Sequence, residues 1–306
     1  MTKRAVMDME IKKIDLHVHA HFAGGPERLR GGTWPTPEEL RAAYDGLGIE
    51  KGVEMSRYAP ERMHDPITSR DAQLLAAQYP ETIGWWFCAL DPRMATNSPQ
   101  DNLSYYLDFY RERGAVGVGE QQANMYIDDP RMMNLLGHCE KCGMPVTIHF
   151  GKLGEGCGVA DDLGLPRLER VLQAFPKLKL LGHAMTFWSE MGTDVTEENR
   201  NRYPKGRITR EGRVAQLMRK YPNLLCDISA NSGLNAFTRD PEYAYRFIDE
   251  FHERIFFATD ISSPTSIAKT APALCAFLDE GYRSGNISTA AYCNICRENA
   301  LRLLEK

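Results

Sequence analysis

Eight short apolar segments alternate along the chain with longer amphipathic ones, and this alternation restricts the fold more than any other feature. The apolar segments lie at 14–19, 49–55, 83–90, 115–120, 145–149, 178–183, 224–228 and 255–260, and their lengths and patterns are those of strands. Helix start signals separate them. Thr36 can cap a helix, Pro37 suits its first turn, and Glu38 and Glu39 complement its dipole. Asp65-Pro66 and Asp129-Pro130 open two more helices, the second ending at Gly143. Others are expected at 99–113, 165–175, 209–221 and 241–253, with closing helices at 266–280 and 288–304. Eight such units predict an α/β fold, the (β/α)8 or TIM barrel. A doubly wound sheet rarely needs eight units, and the chain shows no G-x-G-x-x-G turn. The 306 residues are read as one domain, 1–306, interrupted by a polar loop insertion at 185–205.

The C-terminal ends of barrel strands share one rim, so residues far apart in sequence converge there. His17 and His19 end the first strand; two apart, they face the same way before the loop at 20–26. Glu120 ends the fourth strand, His149 the fifth, His183 the sixth and Asp260 the eighth. Four of the eight histidines thus sit at strand ends. Imidazoles and carboxylates buried together need a partner, and a divalent cation supplies one. Asp15 shares the His17 face but sits deeper, which suits a structural role. His21 belongs to the loop, with a substrate-side or solvated role; His64, His138 and His252 read as surface or packing residues.

Composition narrows the partners. The net charge is −4, so no basic surplus exists to hold a phosphate backbone, and nucleic acid is not expected. No apolar run approaches the roughly 18 residues of a membrane span. The start of the chain is charged and lacks an apolar signal segment, so a cytoplasmic protein is expected. The eight cysteines are dispersed, and the C-x-x-C pairs 139/142 and 293/296 fall in helix-like patterns. Free thiols acting as small apolar residues are the expected state.

The ordered set Asp15-Leu16-His17-Val18-His19, a fifth-strand His, a sixth-strand His and an eighth-strand Asp resembles the amidohydrolase superfamily. The nearest resemblance is to the amidohydrolase-related branch that includes the aminocarboxymuconate-semialdehyde decarboxylase-like enzymes. The closing segment Glu298-Asn299-Ala300-Leu301-Arg302-Leu303-Leu304 resembles that branch's last helix. The resemblance runs from residue 11 to residue 304. It implies a metal-dependent hydrolase or non-oxidative decarboxylase on a barrel, with His17, His19, His149 and Asp260 as ligands. Zinc is the expected ion, one per chain. Asp260 would also take a proton from water, and His183 would act as general acid/base or polarise a substrate oxygen. Two-metal relatives often carry a carboxylated lysine at strand four. This chain has Glu120 there, either as a ligand admitting a second ion or as an acceptor orienting a histidine. A homodimer is likewise implied only by resemblance.

Residues just past the strand ends are candidates for a small, carboxylated substrate. Arg57 has the forked donors of a carboxylate clamp, Trp188 can stack on a planar ring, and Phe150 can line the pocket. Lys152, Phe187 and Asn231 also follow strands; Arg93, within Asp91-Pro92-Arg93, reads as structural. Hydrolysis of a small ester, lactone or amide by metal-activated water is the first reading. Decarboxylation of an aromatic or enoic carboxylate is the alternative. A non-catalytic binding barrel would be marked by a missing ligand, and every expected ligand is present.

Overall fold

Capping and strand register lay down the alternation in the computed structural model, which describes residues 11–22, 27–28 and 31–305. The expected loop at 20–26 is therefore described only to Phe22; residues 23–26 and the charged start of the chain lie outside the described residues. The chain runs β1 (Lys13–Val18), α1 (Pro37–Leu47), β2 (Ile49–Met55), α2 (Ser69–Gln78), β3 (Ile83–Cys88), α3 (Ser104–Arg111) and β4 (Ala115–Gln121). It continues through α4 (Pro130–Cys142), β5 (Val146–Gly151), β6 (Val159–Ala160), α5 (Pro166–Ala174), β7 (Leu180–His183) and α6 (Met185–Trp188). Then come α7 (Arg213–Lys220), β8 (Leu224–Asp227), α8 (Ala230–Thr238), α9 (Pro241–Phe251) and β9 (Ile255–Phe256). The last helices are α10 (Ala271–Arg283), α11 (Thr289–Cys293) and α12 (Asn299–Leu304).

The strands pair in the order β1-β2-β3-β4-β5-β7-β8-β9, all parallel, and β6 is a short addition to β5. Closure comes from the last segment: the Leu16 N–H donates to the Phe257 carbonyl at 3.1 Å and the His19 N–H to the Ile261 carbonyl at 3.0 Å. This is a (β/α)8 TIM barrel. Ile14, Leu16, Val53, Met55, Phe87, Leu181, Leu225 and Phe256 meet inside it, and Leu303 and Leu304 of α12 plug the end away from the rim. All eight cysteines are free thiols. Among the described residues no helix is long and apolar enough to cross a membrane.

Local chemistry explains where helices start. Thr36 and Glu39 form a reciprocal capping box at the head of α1, and the helix stops at left-handed Gly48. Asp129 caps α4, which ends at left-handed Gly143. α2 starts later than Asp65-Pro66 suggests, because Ile67 and Arg57 exchange backbone hydrogen bonds; the box then forms at Thr68 and Asp71. The stretch 185–205 is not loop throughout: α6 and the turn Ser189–Met191 fill its first third. Buried Arg200 anchors the remainder, donating to the Asp161 carbonyl at 3.0 Å and to Glu197 at 3.2 Å. α8 lies where only loop is expected from sequence.

Candidate metal centre

β1 delivers His17 and His19, but Asp15 does not lie beneath them as the period-2 pattern suggests. A shift in the pairing of β1 with β2 between Asp15 and Val18 turns Asp15 the other way. Its carboxylate accepts from the Tyr44 hydroxyl (2.8 Å), the Thr259 N–H (2.9 Å), the Thr259 hydroxyl (2.6 Å) and the His17 N–H (3.1 Å). It therefore ties β1 to the segment that carries Asp260. Burial pushes the Asp15 carboxyl up to about 6 despite those bonds.

The histidine tautomers follow from their neighbours. His17 donates from Nδ1 to Asp227 Oδ2 at 3.0 Å, and His19 from Nδ1 to the Met55 carbonyl at 2.9 Å. Both partners only accept, so each Nδ1 carries a hydrogen and each Nε2 keeps its lone pair for another cation. The two Nε2 atoms lie 3.2 Å apart. Two lone pairs at that distance require a shared cation, either a proton or a metal. Burial drives the His17 pKa down, but the Asp227 carboxylate, with Glu120 and Asp260, outweighs it and raises the value to about 10. Burial dominates for His19, lowering it to about 4.

Glu120 stands between four histidines. Its Oε2 is 3.3 Å from His19 Nε2 and 4.0 Å from His17 Nε2. Its Oε1 is 3.4 Å from His183 Nε2 and touches His149 Nδ1, while Gln122 donates to Oε2. Burial pushes its carboxyl up, but His149, His19 and His17 hold it well below the usual range. His183 donates from Nδ1 to Asp227 Oδ1 at 2.8 Å, and its buried Nε2 has no hydrogen-bond partner. Asp260 completes the rim. Its backbone sits in the left-handed region, its N–H donates to the His17 carbonyl at 2.8 Å, and Oδ1 is 3.5 Å from His19 Nε2.

These residues fit a divalent cation. The lone pairs of three Nε2 atoms converge on one carboxylate, one of them orphaned and buried, and nitrogen–oxygen donor sets suit zinc or manganese. Two groups have ligand spacing: His17, His19 and Glu120; and Glu120, His149 and His183. A third group, His17, His183 and Asp227, is a hydrogen-bond bridge, since both rings meet Asp227 through Nδ1–H.

Asp227 is the residue the sequence reading missed. Its signal is an acid near the end of the seventh barrel strand, β8; Asn231, the candidate past that strand, is exposed and bonded to Thr270. Glu54 was missed as well; both its oxygens accept from the Ala20 N–H, fixing the chain just after His19, and burial raises its pKa.

On the substrate side, Arg57 is 3% exposed, and its buried Nη1 has no hydrogen-bond partner. Its Nε lies 3.9 Å from Glu120 Oε2 and its Nη1 3.8 Å from Asp65 Oδ2. The Trp34 ring carries the guanidinium groups of Arg57, at 4.4 Å, and Arg28, at 4.1 Å. Phe150 and Trp188, both expected on the substrate side, are packed among other rings. Phe150 is buried in a stack on Phe187, and Trp188 is buried against Phe187, Phe237 and Phe247 with its Nε1 donating to the Asp227 carbonyl. Lys152 pairs with Glu155, and Arg93 with Asp91 and Glu61. His21 bonds the Phe22 carbonyl.

Comparison with known proteins agrees with the fold. No curated protein matches the chain in sequence. An amidohydrolase from Burkholderia multivorans with bound zinc superposes with a TM-score of 0.61 at 13% identity, covering 96% of this chain and 99% of that one. A probable 2-pyrone-4,6-dicarboxylic acid hydrolase from Acinetobacter baumannii, with citric acid bound, gives 0.58 at 12% identity, covering 97% and 100%. A dihydroxybenzoic acid decarboxylase from Polaromonas sp. JS666, with manganese and the inhibitor 2-nitroresorcinol, gives 0.54 at 16% identity, covering 96% of each chain. At these identities the likeness shows the shared fold. The sequence model of the amidohydrolase family matches residues 14–306. The chain therefore belongs to the amidohydrolase family.

Proposed function

We propose that the protein hydrolyses a small carboxylated ester, lactone or amide with two divalent cations, zinc foremost, that share Glu120. The observation that carries this reading is the division of Glu120, with Oε2 toward His17 and His19 and Oε1 toward His149 and His183. His17, His19 and Asp260 would hold one cation and His149 and His183 the other. His183 would serve as a ligand in this reading, because its Nδ1 is committed to Asp227 and its orphaned Nε2 faces Glu120. A cation bound here supplies Lewis acidity and lowers the pKa of water toward neutrality. Asp260, with its side chain 21% exposed, takes the proton of the attacking water and returns it to the leaving oxygen or nitrogen as that bond to the acyl carbon breaks.

Arg57 sets the substrate class. Its buried Nη1 has no hydrogen-bonded partner, with Asp65 at 3.8 Å and Glu120 at 3.9 Å from the group too far to supply one, and a planar carboxylate offers paired acceptors to its fork. Arg57→Lys keeps the charge but loses the fork. We expect KM for a carboxylated substrate to rise roughly tenfold or more with kcat little changed, the mark of lost ground-state binding. The class of reaction is tested by incubating carboxylated lactones and hydroxylated aromatic acids in 18O-water. Label in the new carboxyl group supports hydrolysis; carbon dioxide release without label would assign the alternative, decarboxylation. A cytoplasmic homodimer acting on a small molecule, with neither nucleic acid nor membrane as partner, completes the proposal.

A further inference from the structure

We propose that Asp227 is a positioning residue that fixes the ring tautomer of one ligand in each half of the centre. The inference rests on the two-cation reading above. One carboxylate takes both Nδ1–H groups, from His17 on Oδ2 at 3.0 Å and from His183 on Oδ1 at 2.8 Å. Each ring is thereby committed to presenting its Nε2 to a cation. The two bonds link β8 to β1 and to its paired neighbour β7, so a single side chain sets the facing of ligands that are 166 residues apart in sequence (183 − 17).

The oxygens of Asp227 are not equivalent. Oδ1 also accepts from the Ser229 hydroxyl at 2.5 Å and the Ser229 N–H at 3.2 Å, whereas Oδ2 has the His17 ring. In an Asp227→Asn protein the amide oxygen stays where those donors converge, and the amide NH2 falls opposite His17 Nδ1. His17 then keeps the contact only by accepting at Nδ1, which moves its hydrogen to Nε2 and aims an N–H at His19 Nε2 and the cation position. His183 is untouched. The substitution is nearly isosteric, yet it removes one ligand lone pair and spares the other.

The test is metal content and affinity of wild type and Asp227→Asn, loaded with zinc, by elemental analysis and chelator competition. Asp227→Asn is expected to hold about one zinc fewer per chain, with affinity in the His17 half lowered about 100-fold. Full occupancy with wild-type affinity would overturn the proposal. Wild type holding a single ion would overturn the two-cation reading instead; loss of that ion in Asp227→Asn would still uphold the role of Asp227. Should the variant not fold, zinc-loaded wild type labelled with 15N-histidine decides the matter, with resonances assigned through His17→Asn and His183→Asn. Nδ1 protonation of both rings supports the proposal, and Nε2 protonation of either contradicts it.

Discussion

Replacing Asp260 with asparagine is expected to lower kcat by roughly 1,000-fold while leaving the fold intact. The carboxylate is the proton acceptor of the proposed reaction, and its Oδ1 lies 3.5 Å from His19 Nε2. Asparagine removes both the basicity and the negative charge offered to the cation. It tolerates the left-handed backbone at this position, where φ is 51°, and keeps the N–H bond to the His17 carbonyl. Circular dichroism and thermal melting of the metal-free protein should therefore match wild type, and only turnover and metal content should fall. Unchanged kcat would remove Asp260 from the chemistry.

Metal uptake is expected to release protons, and the apparent affinity to rise about tenfold per pH unit from neutrality toward pH 10. In the metal-free protein the proton shared by the Nε2 atoms stays on His17, whose pKa is about 10 because Asp227, Glu120 and Asp260 outweigh burial. A cation needs the same lone pair, so at pH 7 its entry displaces that proton. The linkage has a defined sign. The pKa is raised on folding, so the proton on His17 stabilises the metal-free fold fully below pH 6.5, and this stabilisation is lost as pH rises through about 10. Isothermal titration of metal in buffers of different ionisation enthalpy measures the proton count. A buffer-independent heat would contradict the account.

The strand-end rule made most of the centre readable in sequence. His19, Glu120, His149, His183 and Asp260 all stand at or near the end of a barrel strand, and that placement brings them together regardless of separation. The same rule covers Asp227, although its neighbours Cys226 and Ile228 make the segment read as core. Direction was harder to read than position. Trp188 follows β7 closely, but Ala184 at a φ of 75° turns the chain so that α6 begins at once and packs the ring inward. Asp15 is two residues from His17, yet the register shift places them on different faces. α8 hides behind the loop-like run Ala230-Asn231-Ser232-Gly233. Its helix is held by packing of Phe237 against Trp188 and Phe247, and by a glycine at 233, where any Cβ would strike the Ile228 carbonyl.

Metal content per chain, measured by elemental analysis after zinc loading and removal of free metal, tests the shared role of Glu120 most directly. The account predicts about two zinc ions per chain in wild type. A single ion per chain, retained in a Glu120→Gln protein, would make Glu120 an orienting group and contradict the two-cation centre.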